Sequence, residues 1–321
     1  MNNKYYNILS KIKPFIKSTK LEELGENLYI KKESDQWTNS FKWSGVFYSV
    51  LCEFEKIKKA TTWDNILEWG ENRDYYFVTQ STGNHAIALI NAVNECINLY
   101  SEHINTEKIY VYIFGNKKIL KKKLDILKKL KNDKVMIDIN YENYELSLNA
   151  RKDFLKKNKG VYMEHGGENI INGYVVLGLL INEQIDKINP NIKSVGFYAA
   201  VGSGGPVGIA KGIKIKREVK MISCQTIEFN AFNKSIRQKK ICKNEMDQDV
   251  GISEGIAVNE PEKYAFELGK EIVFKTIDIN TEEVEKNNLN NNYSNSTNIS
   301  LSGYKKYKTD CDINIILDCE L

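Results

Sequence analysis

The chain has 321 residues, enough for about two domains at roughly 150 residues each, with 46 basic and 42 acidic side chains and a formal charge of +4. So small an imbalance gives no ground for a polyanion, and no nucleic-acid partner is expected. No amino-terminal apolar run resembles a signal peptide and no stretch approaches a membrane span. The six cysteines are scattered without CxxC spacing, so reduced core thiols in a cytoplasmic protein are expected rather than disulfides or zinc.

The first segment of interest is Leu28-Tyr29-Ile30-Lys31-Lys32-Glu33, a β-prone run, followed by Thr38-Asn39-Ser40-Phe41-Lys42. Phe41 and Trp43 bracket Lys42 with large apolar side chains, and Gly45 follows. Burial there would disfavour the ammonium form and suit a Schiff-base amine, although a snorkelling surface lysine would read the same way in isolation. Next comes Tyr75-Tyr76-Phe77-Val78, read as a strand, then the turn Ser81-Thr82-Gly83-Asn84-His85 and a helix through Ala86 to Ile90. Ser81 or Thr82 can cap that helix, whose free N–H groups and dipole make an anion site, or the segment is simply a capped turn.

Further strands are predicted at Lys108 to Ile113 and Val135 to Ile139. Between them a lysine-rich run, Lys117 to Lys131, interleaves leucine and isoleucine as an amphipathic helix with a basic solvent face. Glu164, His165 and Glu168 follow, suited equally to a specificity role or to a solvated loop. Val195 to Val201 reads as a buried parallel strand and leads into Gly202-Ser203-Gly204-Gly205-Pro206, with helix from Val207 to Lys211. Glycines there permit close approach to a phosphate, and Pro206 suits a first helical position. The turn has neither Walker nor GxGxxG spacing, so a smaller phosphorylated cofactor fits better. The stretch Lys286 to Asn298, rich in asparagine and serine, is predicted to be a loop or a mobile segment.

Together these segments resemble the β-family, or fold type II, of pyridoxal phosphate enzymes, closest in motifs to threonine and serine dehydratases and threonine synthase. Asn39-Ser40-Phe41-Lys42 is similar to the family's Gly-Ser-Phe-Lys except at Asn39, and Glu254-Gly255-Ile256-Ala257-Val258 resembles a dehydratase segment. The resemblance implies two three-layer α/β domains with mostly parallel sheets and the cofactor, pyridoxal 5'-phosphate, in the cleft between them. The smaller domain would be residues 48–159 and the larger 1–47 with 160–321.

By the same resemblance Lys42 would form the Schiff base and shuttle the α-proton, and Asn84 would bond the ring hydroxyl. Ser81, Thr82 and Gly83, with His85 beside them, would receive the substrate carboxylate. Gly202, Ser203, Gly204 and Gly205 would hold the phosphate, and Gly255 would lie against the ring. Two residues compete for the pyridine nitrogen: Ser302 in Leu301-Ser302-Gly303, and Asp318 after Ile315-Ile316-Leu317, the latter favoured by strand context. No metal is expected, because Thr226 stands where metal-carrying relatives place a glutamate. The resemblance further implies a homodimer and deamination of L-serine or L-threonine, a β- or γ-replacement synthase being the alternative. A non-catalytic pyridoxal phosphate-binding protein is the reading from another class.

Overall fold

Two sheets organise the chain, each built from β-branched and aromatic runs and flanked by helices. The computed structural model describes residues 3–62, 73–117, 119, 121–245, 250–287 and 293–319. In chain order the elements are α1 (Asn3–Ile12), β1 (Leu21–Gly25), β2 (Leu28–Lys32), α2 (Lys42–Thr62), β3 (Tyr75–Gln80), α3 (Asn84–Tyr100) and β4 (Ile109–Asn116). Then follow α4 (Lys121–Leu130), β5 (Val135–Tyr141), α5 (Tyr144–Lys157), β6 (Gly160–Tyr162), α6 (Glu168–Ile188), β7 (Ser194–Ala200) and α7 (Gly205–Lys214). The last are β8 (Glu218–Thr226), α8 (Ala231–Gln238), α9 (Lys263–Ile272), β9 (Val273–Ile279), α10 (Thr281–Asn287), α11 (Asn295–Lys306) and β10 (Ile313–Asp318). Among the described residues no helix is long and apolar enough to cross a membrane.

These elements fall into two compact units, Met1–Gly45 with His165–Leu321, and Val46–Glu164. The first unit holds a six-stranded sheet in the order β1-β2-β10-β7-β8-β9, parallel throughout except for the β1–β2 pair. Every residue of β10 is buried, and so is β7 after Ser194, as expected of central parallel strands covered on both faces. Each fully buried Ile, Leu or Phe on such a strand contributes about 1.5–3 kcal/mol. On one face α6 and α7 approach closely. A Cβ at Gly212 would lie 2.1 Å from the Val175 carbonyl oxygen, and one at Gly178 would lie 2.6 Å from the Gly212 Cα, so larger residues would force these helices apart.

The second unit holds a four-stranded parallel sheet, β5-β4-β3-β6. Phe54 of α2 stacks on Phe77 of β3 with centroids 5.4 Å apart, joining helix to sheet inside this unit.

One predicted element is corrected. The stretch expected to be a loop from Lys286 to Asn298 instead ends α10 and begins α11, its residues 288–292 lying outside the described set. Serine and asparagine disfavour helix interiors because their side chains compete for backbone groups. Here that competition is used: the Ser294 hydroxyl accepts the Thr297 N–H as a helix cap, and Ser300 donates to the Ser296 carbonyl while accepting the Ala200 N–H at 2.8 Å. Tertiary partners override the local preference.

Candidate active site

In the first unit, parallel strands bring their carboxyl-terminal ends to one edge of the sheet, the edge where open α/β sheets bind ligands. Register places Asp318 beside Lys32 and Ile316 beside Tyr198, so the segments leaving β2, β10 and β7 depart from the same edge. Those segments carry Lys42, Asp318 and the Gly202–Gly205 turn. A direct bond joins two of them: the Phe41 N–H donates to the Cys319 carbonyl at 3.3 Å.

Lys42 is the first residue of α2 and is half-buried, its Nζ 5.1 Å from the Phe41 ring centroid. The buried Ser40 hydroxyl accepts the Lys42 N–H at 3.3 Å, and Trp43 donates its ring N–H to the Phe15 carbonyl at 2.6 Å. Phe41 packs against Tyr174 with centroids 5.4 Å apart. The helix start that positions Lys42 is therefore anchored on both sides. Asn39, the departure from the family's glycine, has φ +54°, in the left-handed region that glycine and asparagine occupy most readily. Asn39→Val is expected to cost about 1–2 kcal/mol in a urea melt. Asn39→Gly should stay within about 0.5 kcal/mol, and a Val variant as stable as the parent would remove the backbone argument.

The turn after β7 is confirmed as a glycine turn leading directly into a helix. Gly204 is the cap of α7 and Pro206 lies one residue inside it rather than first. Among the described residues no protein acceptor takes the N–H of Gly202, Ser203, Gly204 or Gly205. Side chains are disfavoured at the three glycines: a Cβ would clash at Gly204, 2.7 Å from Ala265 and Ile171, and at Gly205, 2.4 Å from Phe41, and would be tight at Gly202, 3.2 Å from Ile256. The Ser203 hydroxyl donates to the His165 carbonyl at 3.0 Å, and the His165 N–H donates to Glu262 at 2.9 Å. Gly255 is half-buried in the segment that supplies Ile256 to the turn. Thr226 shares a 2.6 Å hydrogen bond with Ser253, tying that segment to the end of β8. Four unengaged N–H groups behind a glycine lining are what a phosphate needs.

The two candidates for the pyridine nitrogen lie in different places. Ser302 donates to the Glu283 carbonyl and accepts from Asn287, so its hydroxyl is spent on α10. Asp318 is 1 % exposed at the sheet edge. It accepts from Ser34 at 2.5 Å and from Thr297 at 2.8 Å, and pairs with Lys32 at 2.9 Å. Burial pulls the Lys32 amine down, but the Asp318 hydrogen bond and charge outweigh it and hold the pKa above the ordinary lysine value. A second buried pair lies nearby in sequence, Lys31 with Glu33 at 3.3 Å, both also bonded to Thr19. There desolvation wins over the attraction of Glu33, and the Lys31 pKa falls.

In the second unit the residues Ser81 to His85 join β3 to α3. The expected side-chain cap from Ser81 or Thr82 is not the arrangement found. Gly83 stands at the cap with no side-chain bond to α3, and Ser81 instead accepts the Gly83 N–H at 3.3 Å. The helix end is thus left without a protein cap, as an anion site requires. The Thr82 methyl fills the space at Gly115, where a Cβ would lie 2.2 Å away. Asn84 opens α3, half-buried. His85 is 2 % exposed, with Nε2 3.2 Å from the Met163 carbonyl, so its ring is held inside this unit. One residue escaped the sequence reading: Lys123, assigned to a solvent face, has its Nζ 3.6 Å from where a Gly83 Cβ would be.

The sequence profile described as pyridoxal-phosphate dependent enzyme matches residues 11–286. The chain belongs to this pyridoxal-phosphate dependent enzyme family. Its cofactor is accordingly pyridoxal phosphate, and the lysine, the glycine turn and its unengaged N–H groups fit that group. A curated family member, the biosynthetic L-threonine dehydratase IlvA of Halalkalibacterium halodurans, is 26 % identical over 264 residues, covering 81 % of this chain and 56 % of that protein. The chain thus spans little more than half the length of that relative. Among solved structures, threonine deaminase isoform 2 from Solanum lycopersicum matches with TM-score 0.73 at 18 % identity, covering 100 % of this chain and 85 % of that one. Maize serine racemase matches with TM-score 0.73 at 17 % identity, covering 98 % and 92 %. These structures share the fold of this family member, two units with mostly parallel sheets.

Proposed function

We propose that this chain is a pyridoxal phosphate-dependent ammonia-lyase that deaminates a small hydroxy amino acid such as L-serine or L-threonine. The observation that carries the reading is the common sheet edge of the first unit, where Lys42, Asp318 and the Gly202–Gly205 turn leave adjacent parallel strands. When bound, the cofactor supplies the electron sink for the bond broken at the substrate α-carbon. The protein's own residues divide the remaining work. Lys42 holds the cofactor through its ε-amine and, once released, carries the α-proton on Nζ. The N–H groups of Gly202 to Gly205 bind the phosphate, with Gly255 leaving room beside the ring. Asn84 orients the ring hydroxyl, while Ser81, Thr82 and Gly83 receive the substrate carboxylate, helped by the charge of Lys123.

Asp318, rather than Ser302, is the residue we assign to the pyridine nitrogen, because it ends β10 at the sheet edge from which the Lys42 segment and the glycine turn also leave, whereas Ser302 lies on α11 against α10. A carboxylate favours a protonated nitrogen, and Lys32 pairs with this one at 2.9 Å. The threonine dehydratase relative and the Glu254 to Val258 segment support elimination. Thr82 and Gln225 resemble threonine synthase and its relatives at these positions, which supports a replacement synthase as the second reading. A homodimer in the cytoplasm accompanies either one.

An amino-acid panel separates these readings. Keto acid and ammonia from L-serine or L-threonine alone is the expected result. Product only when a thiol or O-phosphohomoserine is added would replace elimination with synthase chemistry, and a coloured protein inert to the whole panel would leave a binding protein.

A further inference from the structure

An open surface cavity of about 360 Å³ lies in the second unit, away from the Ser81–His85 turn in sequence, lined by Arg151, Lys152, Leu155, Lys156 and Tyr162. Arg151 to Lys156 lie on α5, while Tyr162 lies on β6, the outermost strand of this sheet. Arg151 is only 8 % exposed, and its guanidinium carbon sits 3.7 Å from the Tyr162 ring centroid. Its Nε is buried without a hydrogen-bond partner, and among the described residues no carboxylate pairs with it. Lys156 pairs with Asp153 at 2.8 Å, which leaves Arg151 and Lys152 uncompensated on consecutive positions of one helix. A stacked guanidinium whose buried Nε lacks an acceptor carries a desolvation cost unless something completes it. Nothing in the proposed reaction uses it.

We propose that this cavity is a binding site for a small oxyanion, a carboxylate or phosphate carried on an organic body. The guanidinium fork matches either group with two parallel hydrogen bonds, and the stacked Tyr162 ring fixes its plane. Lys152 adds charge at the rim, and Leu155 with Tyr162 provides an apolar wall for the remainder of the ligand. The volume is at the lower end of the range for small-molecule sites, which suits a metabolite rather than a nucleotide.

The test is calorimetric titration of inorganic phosphate, and separately of benzoate, into the full chain saturated with pyridoxal phosphate, with ionic strength held constant by chloride. One saturable site with Kd below about 1 mM is expected for at least one anion. Tighter phosphate binding would identify a phosphoryl ligand, and tighter benzoate binding a carboxylate on an apolar body. Arg151→Met should weaken it by about tenfold or more, and Lys152→Gln severalfold. Lys152 is exposed, so that variant reads the site even if Arg151→Met fails to fold. Absence of saturation by both anions, unchanged binding by a folded Arg151→Met variant, or, if that variant does not fold, unchanged binding by Lys152→Gln overturns the proposal.

Discussion

Lys42→Ala is expected to lower turnover of any amino acid that the panel identifies by roughly a thousandfold or more, the scale of a lost proton-transfer group compounded by a lost covalent anchor. The loss should be chemical rather than structural. Lys42 occupies the first position of α2, where alanine is favourable, and Phe41, Trp43 and Ser40 keep the contacts that seat the helix. The same substitution should abolish the visible absorbance that borohydride bleaches in the parent. A purified Lys42→Ala protein that kept a bleachable chromophore through dialysis would sink the assignment. Far-ultraviolet circular dichroism and the urea midpoint of the cofactor-free proteins should be unchanged, which separates loss of chemistry from loss of fold.

The second large effect is expected at Asp318. Replacement by alanine strips the acceptor from Ser34, Thr297 and Lys32 together at a position 1 % exposed. Removing one member of a buried charged pair usually costs about 3–5 kcal/mol. Because the Lys32 side chain keeps 21 % exposure, about 2–4 kcal/mol is expected here. Urea unfolding of the cofactor-free protein measures it, and a loss under about 0.5 kcal/mol would show that the cluster is not held by this carboxylate. The pH dependence follows from Lys32, whose pKa is raised in the folded state. The folded chain holds that proton more tightly than the unfolded one, so the stabilisation is complete below the ordinary lysine value near 10.4 and is lost as pH climbs through the raised value. In Asp318→Ala that part of the alkaline decline should disappear, while Asp318→Asn should keep the packing but lose the charge and turn an amide N–H toward a group that now donates to the carboxylate.

Much of the first unit could be read from residues because its signals are local. Buried parallel strands announce themselves as runs such as Val195 to Val201, and a glycine turn after one of them needs no distant partner to be recognised. Asn39 was visible as a departure, but only its left-handed φ explains why asparagine can stand where the family has glycine. The cluster around Asp318 was not legible, because Lys32 with Ser34, Thr297 and Asp318 itself come from three separate segments and no spacing rule links them. Thr297 was further hidden by the hydroxyl-rich stretch that reads as loop and folds as helix once Ala200 and Asp318 take up its side chains. Lys123 was lost for a related reason: helical periodicity says which face a lysine is on, not that a glycine turn lies beside that face.

The strand order also bears on how the molecule comes to be folded. Residues 46 to 164 are contiguous, and their sheet is complete once β6 has been made. The other sheet is different, because β10, which follows every other strand in chain order, inserts between β2 and β7 near its middle. Until it arrives, β2 and β7 have no bridge between them, and the loop to be closed spans almost the whole chain. Such pairing is slow, and it leaves strand edges open to other chains in the meantime. During synthesis the second unit is therefore expected to form early, while the sheet that presents Lys42 waits for residues 313 to 318. Destabilising changes in β10 should accordingly lower soluble yield more than their equilibrium cost would suggest.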